Sequence, residues 1–105
     1  MKKKIATDTV NILYKRFYKN APARKAALES ERINASIARQ IYSLRIKSGL
    51  TQQTLAHIVG TSPSVISRLE DAEYQGHSMS MLLRIATALN RRVQVKFVPN
   101  RVRTS

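Results

Sequence analysis

Six side chains in this 105-residue sequence carry a carboxylate: Asp8, Glu29, Glu31, Glu70, Asp71 and Glu73. Metal-assisted hydrolysis, or acid–base work by a carboxylate pair, needs such groups to converge on one point. Three of the six cluster at 70–73. On a helix, however, Glu70 faces the core side, Glu73 lies three residues further on and Asp71 points elsewhere. His57 and His77 have no companion at ligand spacing. There is no Cys to act as a thiol nucleophile or to hold zinc. No Ser is flanked by the glycines of a nucleophile elbow. The expectation is therefore no enzyme, no metal and no cofactor.

The cations point to a different chemistry. Lys and Arg number 19 against 6 acids, a net charge of +13. A small domain so charged repels itself, and a polyanion relieves that repulsion. Nucleic acid is the leading candidate and an anionic membrane surface the second. The plain alternative is a solvated basic surface. No apolar run approaches the ~18 residues that a membrane span needs. The start, Met1-Lys2-Lys3-Lys4-Ile5, is basic, but Asp8 and Asn11 interrupt the stretch after it. No secretory signal is expected, and the expected location is the cytoplasm.

The sharpest pattern lies at 52–69. Gln52, Ala56, Gly60, Ile66 and Leu69 stand at relative positions 1, 5, 9, 15 and 18. This spacing predicts a helix-turn-helix. Ala56 permits close approach of the following helix, and Gly60 supplies a turn where a Cβ would clash at positive φ. Ile66 and Leu69 bury the inner face of the second helix, with Leu55, Ile58 and Val59 completing the core. Ser64, Ser67 and Arg68 then point outward. The N-terminal part of such a second helix enters the major groove of DNA. Arg68 can donate two hydrogen bonds to guanine O6 and N7, or alternatively pair with Asp71. Each serine suits a base, a phosphate or plain solvent. Gln52, at a helix start, suits a phosphate. The candidate DNA contacts are Gln52, Gln53, Ser62, Ser64, Ser67, Arg68 and His77, with His77 on a loop where it can touch phosphate.

Several elements must position these residues. Asp8, with Thr7 as competitor, caps a first helical stretch in which Val10, Leu13, Tyr14, Phe17 and Tyr18 fall at helical spacing. From Pro22 to Ser48 no breaker occurs, and Ala26, Ile33, Ile37, Ile41 and Leu44 form a stripe; one helix or two meeting near Ser30 both fit. Gly49 suits the left-handed position after a helix. Thr51 caps a helix at 52–59, Ser62-Pro63 starts another running to about Glu73, and Ser78 caps a last one at roughly 79–89. In that last helix Met79, Leu82, Leu83, Ile85, Ala86 and Leu89 are expected inward, with Asn90 left-handed behind it. Val93, Val95 and Phe97 then alternate with Gln94, Lys96 and Val98, a strand pattern. A lone strand leaves its backbone groups unpaired and templates another strand. The lead at Ile5–Thr7 is short and charged, so a second copy of 93–98 is the better partner, giving a homodimer.

Residues 45–90 resemble the phage-repressor-like, or xenobiotic-response-element, DNA-binding domains. Leu50-Thr51-Gln52-Gln53-Thr54-Leu55-Ala56 with Val59-Gly60-Thr61 is similar to that family's entry to its second helix. Val65-Ile66-Ser67-Arg68-Leu69-Glu70 is similar to its recognition helix. The resemblance implies an ion pair between Arg45 and Glu70. The whole chain resembles a narrower group, the HigA-type antitoxins of bacterial type II toxin–antitoxin pairs. Asp8 to Leu13, Glu31 to Ala35, Ser67 to Tyr74 and Gly76-His77-Ser78 carry that likeness. It implies a repressor of its own operon, with double-stranded operator DNA and a RelE/HigB-like mRNA-cleaving toxin as partners. Two features depart from these families. Antitoxins usually meet a basic toxin, whereas this chain is itself at +13. Phage repressors usually carry a fifth helix where this chain has a strand pattern. The stripe Val10, Leu13, Tyr14, Phe17 and Tyr18 is the candidate toxin contact, or else packs on the long helix.

The expected fold is mainly α. It comprises an N-terminal helical extension at 1–30, a phage-repressor-like helix-turn-helix bundle at 31–90, one dimerising β-strand at 91–98 and a basic tail at 99–105.

Overall fold

The computed structural model describes residues 20–100 and Ile12. The stripe Val10, Leu13, Tyr14, Phe17 and Tyr18, the lead at Ile5–Thr7 and the tail at 101–105 lie outside the described residues. Among the described residues four helices of a turn or more follow one another: α1 Asn20–Lys47, α2 Gln52–Val59, α3 Pro63–Leu69 and α4 Met79–Ala88.

α1 is a single helix of 28 residues that runs through Ser30 without a break. At 1.5 Å rise per residue it spans roughly 42 Å. Ala, Arg, Glu and Leu fill its first half, and Pro22 sits in the first turn, where a missing N–H costs nothing. From Pro22 to Ile33 every residue is exposed, and burial begins only at Asn34. Its C-terminal half packs through Ala38, Ile41 and Arg45.

The helix ends are set by side chains close in sequence. Gly49 has φ +73°. Its N–H donates to Ile46 O at 2.9 Å, and that of Leu50 to Arg45 O at 3.1 Å. These are the two bonds of a Schellman ending. Asn90, at φ 59°, ends α4 the same way, with its N–H on Thr87 O at 3.1 Å and that of Arg91 on Ala86 O at 2.7 Å. The hydroxyls of Thr51, Ser62 and Ser78 accept from Thr54, Val65 and Met81 N–H and cap α2, α3 and α4.

The core is one cluster of Ile41, Leu55, Ala56, Val59, Ile66, Leu69, Ile85 and Leu89. Leu55, Ile66 and Leu69 are fully buried, each contributing about 1.5–3 kcal/mol from burial.

Several expectations are corrected. Ile58, Met79 and Leu83 were expected inward and stand about half exposed. α2 already fills its inner face with Leu55, Ala56 and Val59, and α4 uses Met81, Leu82, Ile85 and Leu89. Ala26 and Ile33 are also exposed, because the first half of α1 has nothing against it among the described residues. α3 stops at Leu69 rather than near Glu73. There Asp71 Oδ1 takes the N–H of Glu73 at 2.9 Å, an Asx-type bond that competes with the helix. No strand occurs among the described residues; 91–100 carry no regular element. A ladder needs a second strand, and one copy does not supply it. No described helix is long and apolar enough to cross a membrane.

Candidate nucleic-acid interface

α2 and α3 meet across a tight turn built on two small residues. Ala56 is 1% exposed. Gly60 has φ +86°, and a Cβ there would lie 3.2 Å from Arg84 Nη2. That nitrogen donates to Val59 O at 2.8 Å and Gly60 O at 3.1 Å. The guanidinium therefore sits on the C-terminal carbonyls of α2, where a cation complements the helix dipole. Sequence reasoning missed Arg84. Only its place on α4, opposite the turn glycine, betrays its role, and that needs the tertiary fold.

With Ile66 and Leu69 buried, Ser64, Ser67 and Arg68 are exposed. They stand at i, i+3 and i+4 and so form one stripe on the outer face of α3. The ion pairs among the described residues are Glu29–Arg32 and Arg45–Glu70. The alternative Arg68–Asp71 pair is not formed, and the Arg68 fork is presented to solvent. Ser62 Oγ caps α3 and lies 3.1 Å from Ser64 Oγ. Gln53 is exposed and lines a shallow hollow with Thr54, His57, Thr61 and Pro63, where the starts of α2 and α3 come together.

Beneath this face lies a buried polar network. Arg45 Nε donates to Glu70 Oε2 at 2.6 Å and Nη2 to Oε1 at 3.0 Å, a bidentate fork. Arg45 Nη1 reaches Leu50 O at 2.9 Å. The two side chains are 8% and 5% exposed. The hydrogen bond to Glu70 holds the Arg45 guanidinium above its ordinary pKa, against the opposing effect of burial. One carboxylate thus joins α1 to the end of α3, and the loop before α2 is tied to the same arginine.

Two of the expected DNA contacts also bond within the protein. Gln52 Nε2 donates to Glu70 Oε1 at 3.1 Å, which ties its amide to the network. His77 is half-buried. Its Nε2 lies 2.8 Å from Leu69 O and its Nδ1 3.3 Å from Asn34 Oδ1, and its ring meets Tyr74 edge-on. Nε2 donates to the carbonyl that the end of α3 leaves free, so His77 ties the following loop to α3 and α1. Gln53, Ser62, Ser64, Ser67 and Arg68 are all exposed, and Gln53 meets the start of α3 at Pro63. Among the described residues no group of three His, Asp or Glu is placed to hold a metal ion.

A helix-turn-helix family model matches residues 41–95, just over half of the chain. No curated protein matches it.

Proposed function

The chain belongs to the phage-repressor-like helix-turn-helix family, and from that premise we propose that it is a sequence-specific DNA-binding repressor with no enzymatic activity. The observation that carries this reading is the outer stripe of α3. Ser64, Ser67 and Arg68 are exposed at the surface while the same helix is fixed from below by Ile66, Leu69 and the Arg45–Glu70 fork. In this reading Arg68 reads a guanine through O6 and N7, and Ser62, Ser64 and Gln53 fix register on phosphates. The +13 charge supplies the sequence-independent part of the affinity.

Such a helix reads a two-fold operator when two copies stand about one DNA turn, ~34 Å, apart. The homodimer is assigned to 93–98, where Val95 and Phe97 are exposed apolar side chains with no cover among the described residues.

In the fuller reading the protein is the antitoxin of a HigBA-type pair, repressing its own operon and neutralising an mRNA-cleaving toxin through its N-terminal extension. Its support is the likeness over Asp8–Leu13, Glu31–Ala35, Ser67–Tyr74 and Gly76–Ser78. The second reading, a stand-alone phage-type regulator without a toxin, is favoured by the +13 charge, which suits DNA better than a basic toxin. Deleting residues 1–21 separates them. Loss of binding to the product of a neighbouring small reading frame, with operator binding kept, supports the antitoxin. A chain with no such neighbour and no captured toxin supports the regulator.

A further inference from the structure

α1, α4 and the segment after α4 enclose an open-sided groove of about 570 Å³, lined by Ile33, Ile37, Leu82, Ile85, Val93 and Val95 among others. Beside it the same segment carries Phe97, 99% exposed, with Val95 at 64%. A phenyl side chain buries about 150–250 Å² when covered. One molecule thus holds an unfilled, mainly apolar groove and, two residues beyond its edge, a large apolar side chain with nothing against it among the described residues. We propose that the occupant of this groove is Phe97 of a second copy, and that the two copies exchange this ring about a two-fold axis through Val95.

The register is set by the residue types, and the proposal rests on the homodimer reading above. In an antiparallel two-fold pair, directly opposite residues share a face and stand about 4.5–5.5 Å apart at Cβ. Centring on Val95 sets Val95 against its own copy and Val93 against the second copy's Phe97. Val93 already lines the groove, so that pairing delivers the ring to the groove's edge. On the other face Gln94 meets the second copy's Lys96 and Arg92 meets its Val98, so no like charges face each other. Centring on Gln94 sets Arg92 against Lys96, and centring on Lys96 sets that cation against itself. Both place like charges in direct opposition, which destabilises a sheet pair. A shift by one residue mixes Val93 with Lys96 on one face. Of these registers, the Val95-centred one keeps Val93, Val95 and Phe97 together on the groove side and also sets no like charges in opposition. The exchange is reciprocal, as a two-fold interface requires.

The test exploits the absence of Trp and Cys from the chain. In Phe97→Trp the single indole reports its own burial, and Phe97 is exposed in the single copy, so the core is undisturbed. Its emission should be blue-shifted at high protein concentration and move to the red on dilution, in step with dissociation followed by sedimentation. Phe97→Ala should weaken dimerisation by roughly 30-fold or more for each of the two rings. Of the single-cysteine variants Gln94→Cys, Val95→Cys and Lys96→Cys, only Val95→Cys should cross-link rapidly to its own copy on oxidation. A sedimenting dimer whose indole stays red leaves the groove to another partner and overturns the exchange while the homodimer stands. Blue emission independent of concentration means that the chain covers its own ring, and also overturns it. Fastest cross-linking at 94 or 96 refutes the register. A monomer at all concentrations removes the homodimer reading as well, and operator binding by that monomer would leave the DNA reading intact.

Discussion

Glu70 holds three donors at once, two from Arg45 and one from Gln52. Removing a carboxylate of this kind leaves a buried guanidinium without a counter-charge. Glu70→Ala is expected to cost roughly 3–5 kcal/mol, measured by urea unfolding. The double variant Arg45→Met with Glu70→Leu should cost less than either single truncation, since no buried charge is then left alone. Equal or additive losses would mean that the pair matters only as packed volume. Arg68 is the opposite case, because its guanidinium bonds to no described side chain. Arg68→Ala should leave unfolding within about ±0.5 kcal/mol while weakening operator binding by roughly 1–3 kcal/mol. The two arginines thus separate stability from recognition. A calorimetric unfolding temperature that falls as far for Arg68→Ala as for Glu70→Ala would erase that distinction.

At the scale of elements, the turn between α2 and α3 is held by Gly60 and by Arg84. Gly49 and Gly60 both have positive φ, but only Gly60 has a neighbour where its Cβ would go. Gly49→Ala should cost about 1–2 kcal/mol for the left-handed backbone alone. Gly60→Ala should cost that and also displace the Arg84 guanidinium from the carbonyls of α2. Introducing Arg84→Ala first should make the two glycine substitutions cost nearly the same. A cycle in which Arg84→Ala leaves the difference unchanged would show that the guanidinium does not hold the turn. The helix ends other than that of α3 were legible where Thr51, Ser62, Ser78, Gly49, Gly60 and Asn90 act on backbone groups within a few residues of themselves. What was not legible depends on distant partners. The aim of Gln52 is decided by Glu70, eighteen positions on. That of His77 is decided by Leu69 O and by Asn34 on α1. The outward turn of Ile58 and Leu83 reflects that Leu55, Ala56 and Val59 on α2 and Met81, Leu82 and Ile85 on α4 already fill the core-facing sides. α3 ends early because Asp71 competes for a backbone N–H, a local effect that the apolar pattern alone does not report. Among the candidate contacts, the residues legible as outward from helical phase, Ser64, Ser67 and Arg68, are where the spacing placed them.

For the whole molecule, the charge of +13 predicts binding to any duplex that falls steeply with salt, with a log–log slope of about −0.9 per phosphate contacted. Recognition must appear on top of that background. A pool of random DNA duplexes, selected at one fixed salt concentration by the natural chain and by Arg68→Ala, isolates it. The natural chain should enrich a two-fold site with half-sites one helical turn apart and a fixed guanine in each. Arg68→Ala should keep its affinity for the unselected pool and lose preference at that guanine alone. Enrichment of the same site to the same degree by both proteins would contradict the assignment of α3 as the helix that reads the bases.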